Sequence, residues 1–422
     1  MLTQAPRGTK DVLPKESGRW QALEQIMRDA AARAGYREVR TPTFEHTELF
    51  LRGVGDTTDI VQKEMYTFKD KGDRSITLKP EGTAGAVRAL IEHSLYADVL
   101  PCKMYYLNAP IFRYEAPQSG RFREHHQFGL ECFGALSPSV DAEIIALAYR
   151  MLEGLKVTNL SVNINSIGCP NCRPAYHHRL KNFLGERLLG LCRSCNERFE
   201  RNPLRALDCK EEKCQELVKD APSMLDMLCD ECADHFQKLQ GYLSAAGIPY
   251  AIDSRIVRGL DYYTKTVFEL ITKTPQGSLT VCGGGRYDRL VEELGGPQMP
   301  GVGFGMGLER ILMLLDSQGI NLDTSRQMDV FVASLGEEAR IPAFTLVQSL
   351  RLAGVKADCD HMGKSLKAQF KYADKVNVPL IAILGGDELQ KGVVKVRNMS
   401  TREESEIPVD GASEAIVNLL AK

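Results

Sequence analysis

The sequence lacks any uncharged apolar run near the roughly 18 residues that a membrane-spanning helix needs. No bilayer-spanning helix is therefore expected. Met1 to Lys10 lacks the apolar stretch of a secretion signal, so the cytoplasm is the default location and thiols are expected to stay reduced. A surplus of either charge is also missing. Lys and Arg number 53 and Asp and Glu 55, a net of −2. Overall charge therefore does not announce a nucleic-acid partner, and only a local patch could supply one. No internal repeat or low-complexity tract is present, which excludes solenoids and fibrous arrays. What remains is ordinary globular material, with 43% hydrophobic and 26% charged residues in a chain of 422. That excludes a disordered, collagen-like or coiled-coil chain. The length suggests about two to three domains.

Apolar spacing then divides the chain. Trp20, Leu23, Met27, Ala30 and Ala34 recur at helical spacing and predict a helix over residues 17–34. Residues 36–41 alternate like a strand that Pro42 halts. A helix is expected after Glu81-Gly82-Thr83. Residues 104–112 and 126–133 read as strands around a polar loop, a hairpin candidate. Residues 160–164, 252–270 and 279–282 are strand-like. Residues 301–315 begin glycine-rich and end as a helix. A catalytic core is assigned to residues 1–325, with a helical insertion at 165–240. After a polar linker, residues 328–422 alternate strands and helices, a small α/β domain of about 95 residues.

Some patterns fail as sites. Gly363-Lys364-Ser365 resembles the end of a phosphate loop, but Asp358 stands where that motif needs glycine. Gly301, Gly303, Gly305 and Gly307 miss dinucleotide-loop spacing in every register and lack the strand–turn–helix setting. His125 and His126 would point to opposite faces of a strand, so they are not expected to chelate a metal.

Four segments carry more. They are Lys79-Pro80-Glu81-Gly82-Thr83-Ala84, Phe112-Arg113-Tyr114-Glu115, Arg258-Gly259-Leu260-Asp261-Tyr262-Tyr263 and Gly305-Met306-Gly307-Leu308-Glu309-Arg310. Each sets charge within or beside an apolar or glycine-rich stretch. A buried, unpaired arginine is costly, so it is either paired or held open for an anion. Its planar fork suits phosphate. Three such arginines suggest a polyphosphate substrate; structural ion pairs with Glu81, Glu131 or Asp261 are the alternative.

Cysteine supplies a second signal. Cys169 and Cys172, Cys192 and Cys195, Cys209 and Cys214, and Cys229 and Cys232 form four close pairs within 64 residues. This is zinc-type spacing. Two four-thiol sites, one site with spare thiols, or free thiols on a helical module all remain open. From Cys169 to Arg205 there are eight Lys and Arg against three Asp and Glu. That patch could meet phosphates or simply be solvated. In the C-terminal domain Lys364, Lys367, Lys371 and Lys375 fall on one helical face. They could contact an anticodon stem or form a solvated face.

Taken in order, these segments closely resemble the histidyl-tRNA synthetases, which are class II aminoacyl-tRNA synthetases, over essentially the whole chain. Arg40-Thr41-Pro42 falls where the family has its first class motif, at a dimer interface. Phe112 to Glu115 with the loop to Phe133 is similar to the second motif, and Gly305 to Arg310 to the third. The peptides Arg258 to Tyr263 and Gly283-Gly284-Gly285-Arg286-Tyr287-Asp288 resemble two that are special to the histidyl enzymes.

The resemblance implies an α+β catalytic domain on a six-stranded antiparallel class II sheet, a helical insertion and a C-terminal α/β anticodon-binding domain. It implies ATP with Mg2+, L-histidine, tRNA(His) and a homodimer. It implies that Arg113 holds the α-phosphate and the substrate carboxylate region, with Arg121 and Arg310 on ATP, and that Arg258 is catalytic. The substrate's α-amino group would meet Glu81, Thr83 and Gln127, beside Gly82. Glu131 and Tyr263 would read the imidazole, with Tyr262 beside them. Gly283 to Gly285 would permit close approach to a ligand. The sequence departs from many relatives at Ala116 and His125, in and beside the second-motif loop, which would approach the acceptor end. Other readings are a histidine-sensing regulatory paralogue and a tRNA-binding module without catalysis. The first usually lacks the anticodon domain, and the second leaves three arginines unexplained.

Overall fold

The structure, a computed structural model, describes residues 3–55, 58, 60–117, 120–209, 211–274, 277–322 and 326–421. Gln118 of the second-motif loop and residues 323–325 of the linker lie outside these. The chain divides into two compact units, Met1–Asp323 and Thr324–Lys422.

In the first unit the strands are, in chain order, β1 (Arg37–Glu38), β2 (Phe44–His46), β3 (Tyr66–Lys69), β4 (Ser75–Leu78), β5 (Cys102–Phe112), β6 (Glu124–Phe133), β7 (Leu160–Ser166), β8 (Tyr250–Ile252), β9 (Thr264–Thr274), β10 (Gly277–Arg286) and β11 (Gly301–Gly307). The large sheet has the order β1-β5-β6-β11-β10-β9-β7-β8. Its six middle strands are all antiparallel, as expected. The short edge strands β1 and β8 add in parallel. A separate three-stranded sheet, β2-β4-β3, escaped the sequence reading.

Side chains alternate across a strand, and here the alternation separates core from site. Phe128 and Leu130 on β6, Phe304 and Met306 on β11, and Phe268 and Leu270 on β9 face one way. They pack with Leu23 and Met27 of the helix Pro14–Arg33 and with Ile144, Ile145 and Leu152 of the helix Pro138–Gly154. Gln127, Gly129 and Glu131 face the other way. Opposite them in register stand Gly307, Gly305 and Gly303 of β11.

Two expectations are corrected. The stretch 252–270 is not one strand, because residues 253–263 form an irregular loop and β9 begins only at Thr264. Gly259 and the charged Arg258 and Asp261 interrupt the apolar alternation there. Between residues 36 and 41, only Arg37 and Glu38 pair with a neighbouring strand. The glycines of 301–307 lie within β11 itself, which runs directly into the helix Leu308–Ser317 with no turn between, so the strand–turn–helix setting is absent as well as the dinucleotide spacing.

The insertion is helical, with Arg173–Gly185, Arg193–Arg198, Glu212–Leu217 and Asp230–Ala245. Its buried residues, among them Tyr176, Leu180 and Cys195, form one cluster with Tyr262, Tyr263 and Tyr287. It is therefore not a separately packed module.

In the second unit, β12 (Val330–Ser334), β13 (Ala357–Cys359), β14 (Leu380–Leu384), β15 (Val393–Asn398) and β16 (Glu404–Pro408) form a sheet of order β13-β12-β14-β15-β16. The first three strands are parallel and the last two antiparallel. The lysine face is shorter than expected. Lys364 precedes the helix Leu366–Lys375, held by its backbone N–H to Asp360, so only Lys367, Lys371 and Lys375 share it. Among the described residues no helix is long and apolar enough to cross a membrane.

Candidate functional site

The polar face of the large sheet is floored by glycine. Gly129, Gly305 and Gly283 stand side by side across β6, β11 and β10, with Glu269 of β9 next in the row. A methyl group at any of the three would collide with a polar side chain lying on the sheet. That neighbour is Tyr106 at Gly129, Gln127 at Gly305 and the Arg258 guanidinium at Gly283. At Gly283 the close approach expected of a ligand is made by the protein's own arginine.

Four arginines converge on one cleft of about 450 Å3, namely Arg113, Arg121, Arg258 and Arg310. Arg113 Nε donates to Pro80 O at 2.8 Å. Arg310 donates to Thr280 O at 2.7 Å and to Gly120 O at 3.3 Å. Its burial and the charge of Arg121 lower its pKa. Arg121 is half-exposed and faces Glu115 at 3.9 Å. Arg258 Nη1 donates to Glu269 Oε1 at 2.6 Å. Its Nε is buried and has no hydrogen-bond partner, and the same holds for Gln127 Oε1. Both line this cleft. A buried, unsatisfied polar atom costs about 1–3 kcal/mol. Two of them beside one cavity mark where a ligand's donor and acceptor belong.

The ion pairs offered as the structural alternative are not the ones formed. Arg258 pairs with Glu269. Glu81 instead caps the helix Thr83–Glu92, accepting from Thr83 N at 2.7 Å and Ala84 N at 2.8 Å. Asp261 accepts from Asn202 at 2.7 Å. Glu131 stands four residues along β6 from Gln127 on the same face, 1% exposed, and neither it nor Glu81, Gly82, Thr83, Tyr262 or Tyr263 lines the arginine cleft itself. Glu131 accepts from Thr83 Oγ1 at 2.8 Å, Tyr106 OH at 3.2 Å and Tyr287 OH. Burial pushes its pKa up to about 8. The Tyr287 and Thr83 hydrogen bonds oppose the shift, and the charge of Glu81 adds to it. Tyr262, Tyr263 and Tyr287 pack edge-on or tilted against one another with ring centroids 4.7 to 6.4 Å apart. Sequence reasoning missed Tyr106 and Glu269. Their only signal is register, each standing in the row opposite glycine.

His125 and His126 do face apart. His126 Nδ1 lies 2.8 Å from Glu309, and its ring stacks edge-on with Trp20. His125 enters the cleft, where burial and the charges of Arg113 and Arg310 drive its pKa down to about 3. It is therefore held neutral. Ala116 lies in the described part of the loop and is exposed.

The model described as "Histidyl-tRNA synthetase" matches residues 8–311, and the model described as "Anticodon binding domain" matches residues 329–419. The chain belongs to the histidyl-tRNA synthetase family. The histidine–tRNA ligase of Caldanaerobacter subterraneus subsp. tengcongensis is 56% identical, covering 99% of this chain and 100% of that protein. That of Alkaliphilus oremlandii is 58% identical, covering 96% of each. The crystal structure of apo Staphylococcus aureus histidyl-tRNA synthetase superposes with a TM-score of 0.84 at 38% identity, covering 98% of this chain and 99% of that one.

In this family member the eight insertion cysteines resolve into two sets of four. One is Cys169, Cys172, Cys229 and Cys232, the other Cys192, Cys195, Cys209 and Cys214. Sulfur separations are 3.6 Å for Cys169–Cys172 and 3.8 Å for Cys169–Cys229, Cys172–Cys232 and Cys192–Cys209. Four sulfurs about 2.3 Å from one tetrahedral zinc stand about 3.8 Å apart. A disulfide would need about 2.05 Å. The residues present therefore fit a single tetrahedral ion in each set.

At least five of the eight basic residues around them have partners within the chain. Lys181, Arg187 and Arg193 pair with Glu200, Glu186 and Glu197. Arg173 and Arg205 turn inward to backbone carbonyls.

Proposed function

We propose that the chain ligates L-histidine to tRNA(His) in two steps. The histidine carboxylate attacks the α-phosphorus of ATP and pyrophosphate leaves. The 3′-terminal ribose of the tRNA then attacks the histidyl carbonyl and AMP leaves. The reading rests on one observation above all. Four arginines and Gln127 line a single cleft, and Arg258 Nε and Gln127 Oε1 on two of these residues have no hydrogen-bond partner.

The roles carry the family resemblance onto these residues. Arg113 meets the α-phosphate and the substrate carboxylate, while Arg121 and Arg310 take the outer phosphates. Arg258, held over Gly283 by Glu269, keeps Nε for the charge that grows at the α-phosphate. Fixed cations act this way in a site that excludes water. Gln127 Oε1 accepts from the substrate's ammonium, beside Glu81, Gly82 and Thr83. Glu131 and Tyr263 address the imidazole nitrogens, each of which needs a partner, with Tyr262 and Tyr287 as the walls. Class II synthetases act with ATP and Mg2+. Carboxylates of the cleft, Glu115 and Glu269, suit that hard cation beside the phosphates. Each cysteine set takes one zinc ion. The enzyme works as a homodimer through the face around Arg40, Thr41 and Pro42, and sedimentation as a monomer at micromolar concentration would refute that assembly.

The deciding experiment is amino-acid-dependent exchange of pyrophosphate into ATP with Mg2+. Exchange with histidine alone is expected. Histidine binding without exchange would move the chain to a histidine-sensing regulator.

A further inference from the structure

The loop of residues 253–263 carries Arg258, Tyr262 and Tyr263 but belongs to no strand. Ladder bonds therefore do not fix its carbonyls. Part of its support comes from the large sheet, where Asn165 Nδ2 donates to Ser254 O at 3.2 Å and Ile256 O at 3.0 Å. Asp261 N also donates to Val54 O at 3.3 Å. The rest comes from the cysteine-rich insertion, and each tie leaves from a segment that thiols close.

Arg173, next to Cys172, donates from Nη2 to Tyr263 O and from Nε to Ile167 O at 3.1 Å. Glu231, between Cys229 and Cys232, holds Lys265 Nζ at 2.7 Å, just past the loop. Asn202 and Arg205 lie between Cys195 and Cys209. Asn202 donates to Asp261 at 2.7 Å, and Arg205 Nη1 donates to Arg258 O at 3.1 Å. Arg205 also lies against Gly259. Both thiol sets thus have an arginine on a carbonyl of the Arg258–Tyr263 peptide.

We propose that the insertion is a metal-organised clamp in which Arg173, Asn202 and Arg205 act as positioning residues for Arg258 and Tyr263. This rests on the zinc reading and on the ligase reading above, and it goes beyond both. The nested pairing explains the mechanics. The first set joins the entry and exit of the insertion and fixes Arg173 and Glu231. The second set closes the segment that presents Asn202 and Arg205. Without the ions, the helices that begin at Arg173 and Asp230 lose the crosslink between their N-termini, and the short segment that carries Asn202 and Arg205 loses its closure.

The test separates the readings. Metal analysis of enzyme purified without added metal should find about two zinc per chain, as two four-thiol sites require. Absence of zinc and iron with eight freely titrating thiols would remove the metal while leaving the clamp to the next step. Arg205→Ala and Asn202→Ala keep all eight thiols. They should keep the zinc and lower kcat/KM for histidine in pyrophosphate exchange about tenfold or more, the worth of one charge-assisted hydrogen bond. KM for ATP should move less than about twofold, a split that general destabilisation would not give. Arg205→Lys, which keeps one donor, should recover part of the loss. A Cys209→Ser, Cys214→Ser enzyme should lose one zinc and show the same histidine defect. Unchanged kinetics in both Arg205→Ala and Asn202→Ala would overturn the clamp. Loss of zinc from the double cysteine variant without a kinetic change would overturn its metal organisation. Loss of all exchange in every preparation, wild type included, would strike the ligase reading instead.

Discussion

Gly305→Ala tests the glycine floor most sharply. The added methyl carbon would sit 2.2 Å from Gln127 Nε2, the far end of a flexible side chain. Gln127 can swing away at little cost to the fold, and the substitution itself returns about 0.5–1 kcal/mol, because glycine in a strand interior is poorly placed. Stability should barely change. Binding should not be spared, because the swing removes Gln127 Oε1 from the cleft. A hydrogen bond to a charged group contributes about 1.5–3 kcal/mol, so KM for histidine should rise about 10- to 150-fold. KM for ATP should hold. Gly284→Ala is the control. Its methyl carbon would lie 2.2 Å from the backbone oxygen of Gly303 and 2.7 Å from Phe304 Cβ, and neither can rotate away. That variant should lose stability outright. The assay is pyrophosphate exchange at varied histidine, paired with thermal unfolding. If Gly305→Ala folds and binds histidine as the wild type does, Gln127 is not the acceptor. If the two variants melt alike, the distinction between flexible and rigid neighbours fails.

Three further outcomes follow from the buried charges. Asp141→Ala removes the buried one of Arg286's two carboxylate partners, leaving Asp288 at 3.1 Å, and should cost up to about 3–5 kcal/mol; a loss under about 1 kcal/mol in denaturant titration would contradict that. Burial alone would raise the pKa of Asp141, but the Arg286 charge and the His235 hydrogen bond hold it at about 2, below the ordinary 3.8. Its stabilisation is therefore present above 3.8 and lost as pH falls through 2, so acid unfolding of Asp141→Asn should lack that component. Glu131 has the opposite sign. With its pKa at about 8 against an ordinary 4.5, the stability it contributes is full below 4.5 and lost as pH rises through 8. Its anion is the form that accepts an imidazole N–H, so kcat/KM for histidine should climb between about pH 7 and 8.5. Glu131→Gln should flatten that slope, and an unchanged slope in the variant would remove Glu131 from the imidazole.

Arg113, Arg258 and Arg310 were legible because each sits in a short peptide of distinctive composition, and the structure brings all three to one cleft. Their partners were not. Glu269 lies in an ordinary strand, and it meets Arg258 only through the register that sets Gly283 opposite it. A register is a long-range property that the alternation of one strand does not contain. Tyr106 was hidden for the same reason, since its place depends on Gly129 across the hairpin and on Gly82 in the loop before a helix. The cysteines show where local spacing stops informing. Every close pair was readable, yet the first pair closes with the last, 60 residues on, and the middle two close with each other. Nested closure joins the ends of the insertion at its base, so the chain between them can vary with only a slow rise in closure cost. What cannot vary freely is the side of the insertion that faces residues 258–265. Four side chains, Arg173, Asn202, Arg205 and Glu231, meet that stretch, and none stood out in the sequence. Arg173 and Arg205 counted toward a basic surface stretch, and only the fold turns them inward, while Glu231 reaches Lys265 from the surface. The net basic count of the stretch from Cys169 to Arg205 included two arginines that hold the protein's own backbone, a use that composition does not distinguish from a surface charge.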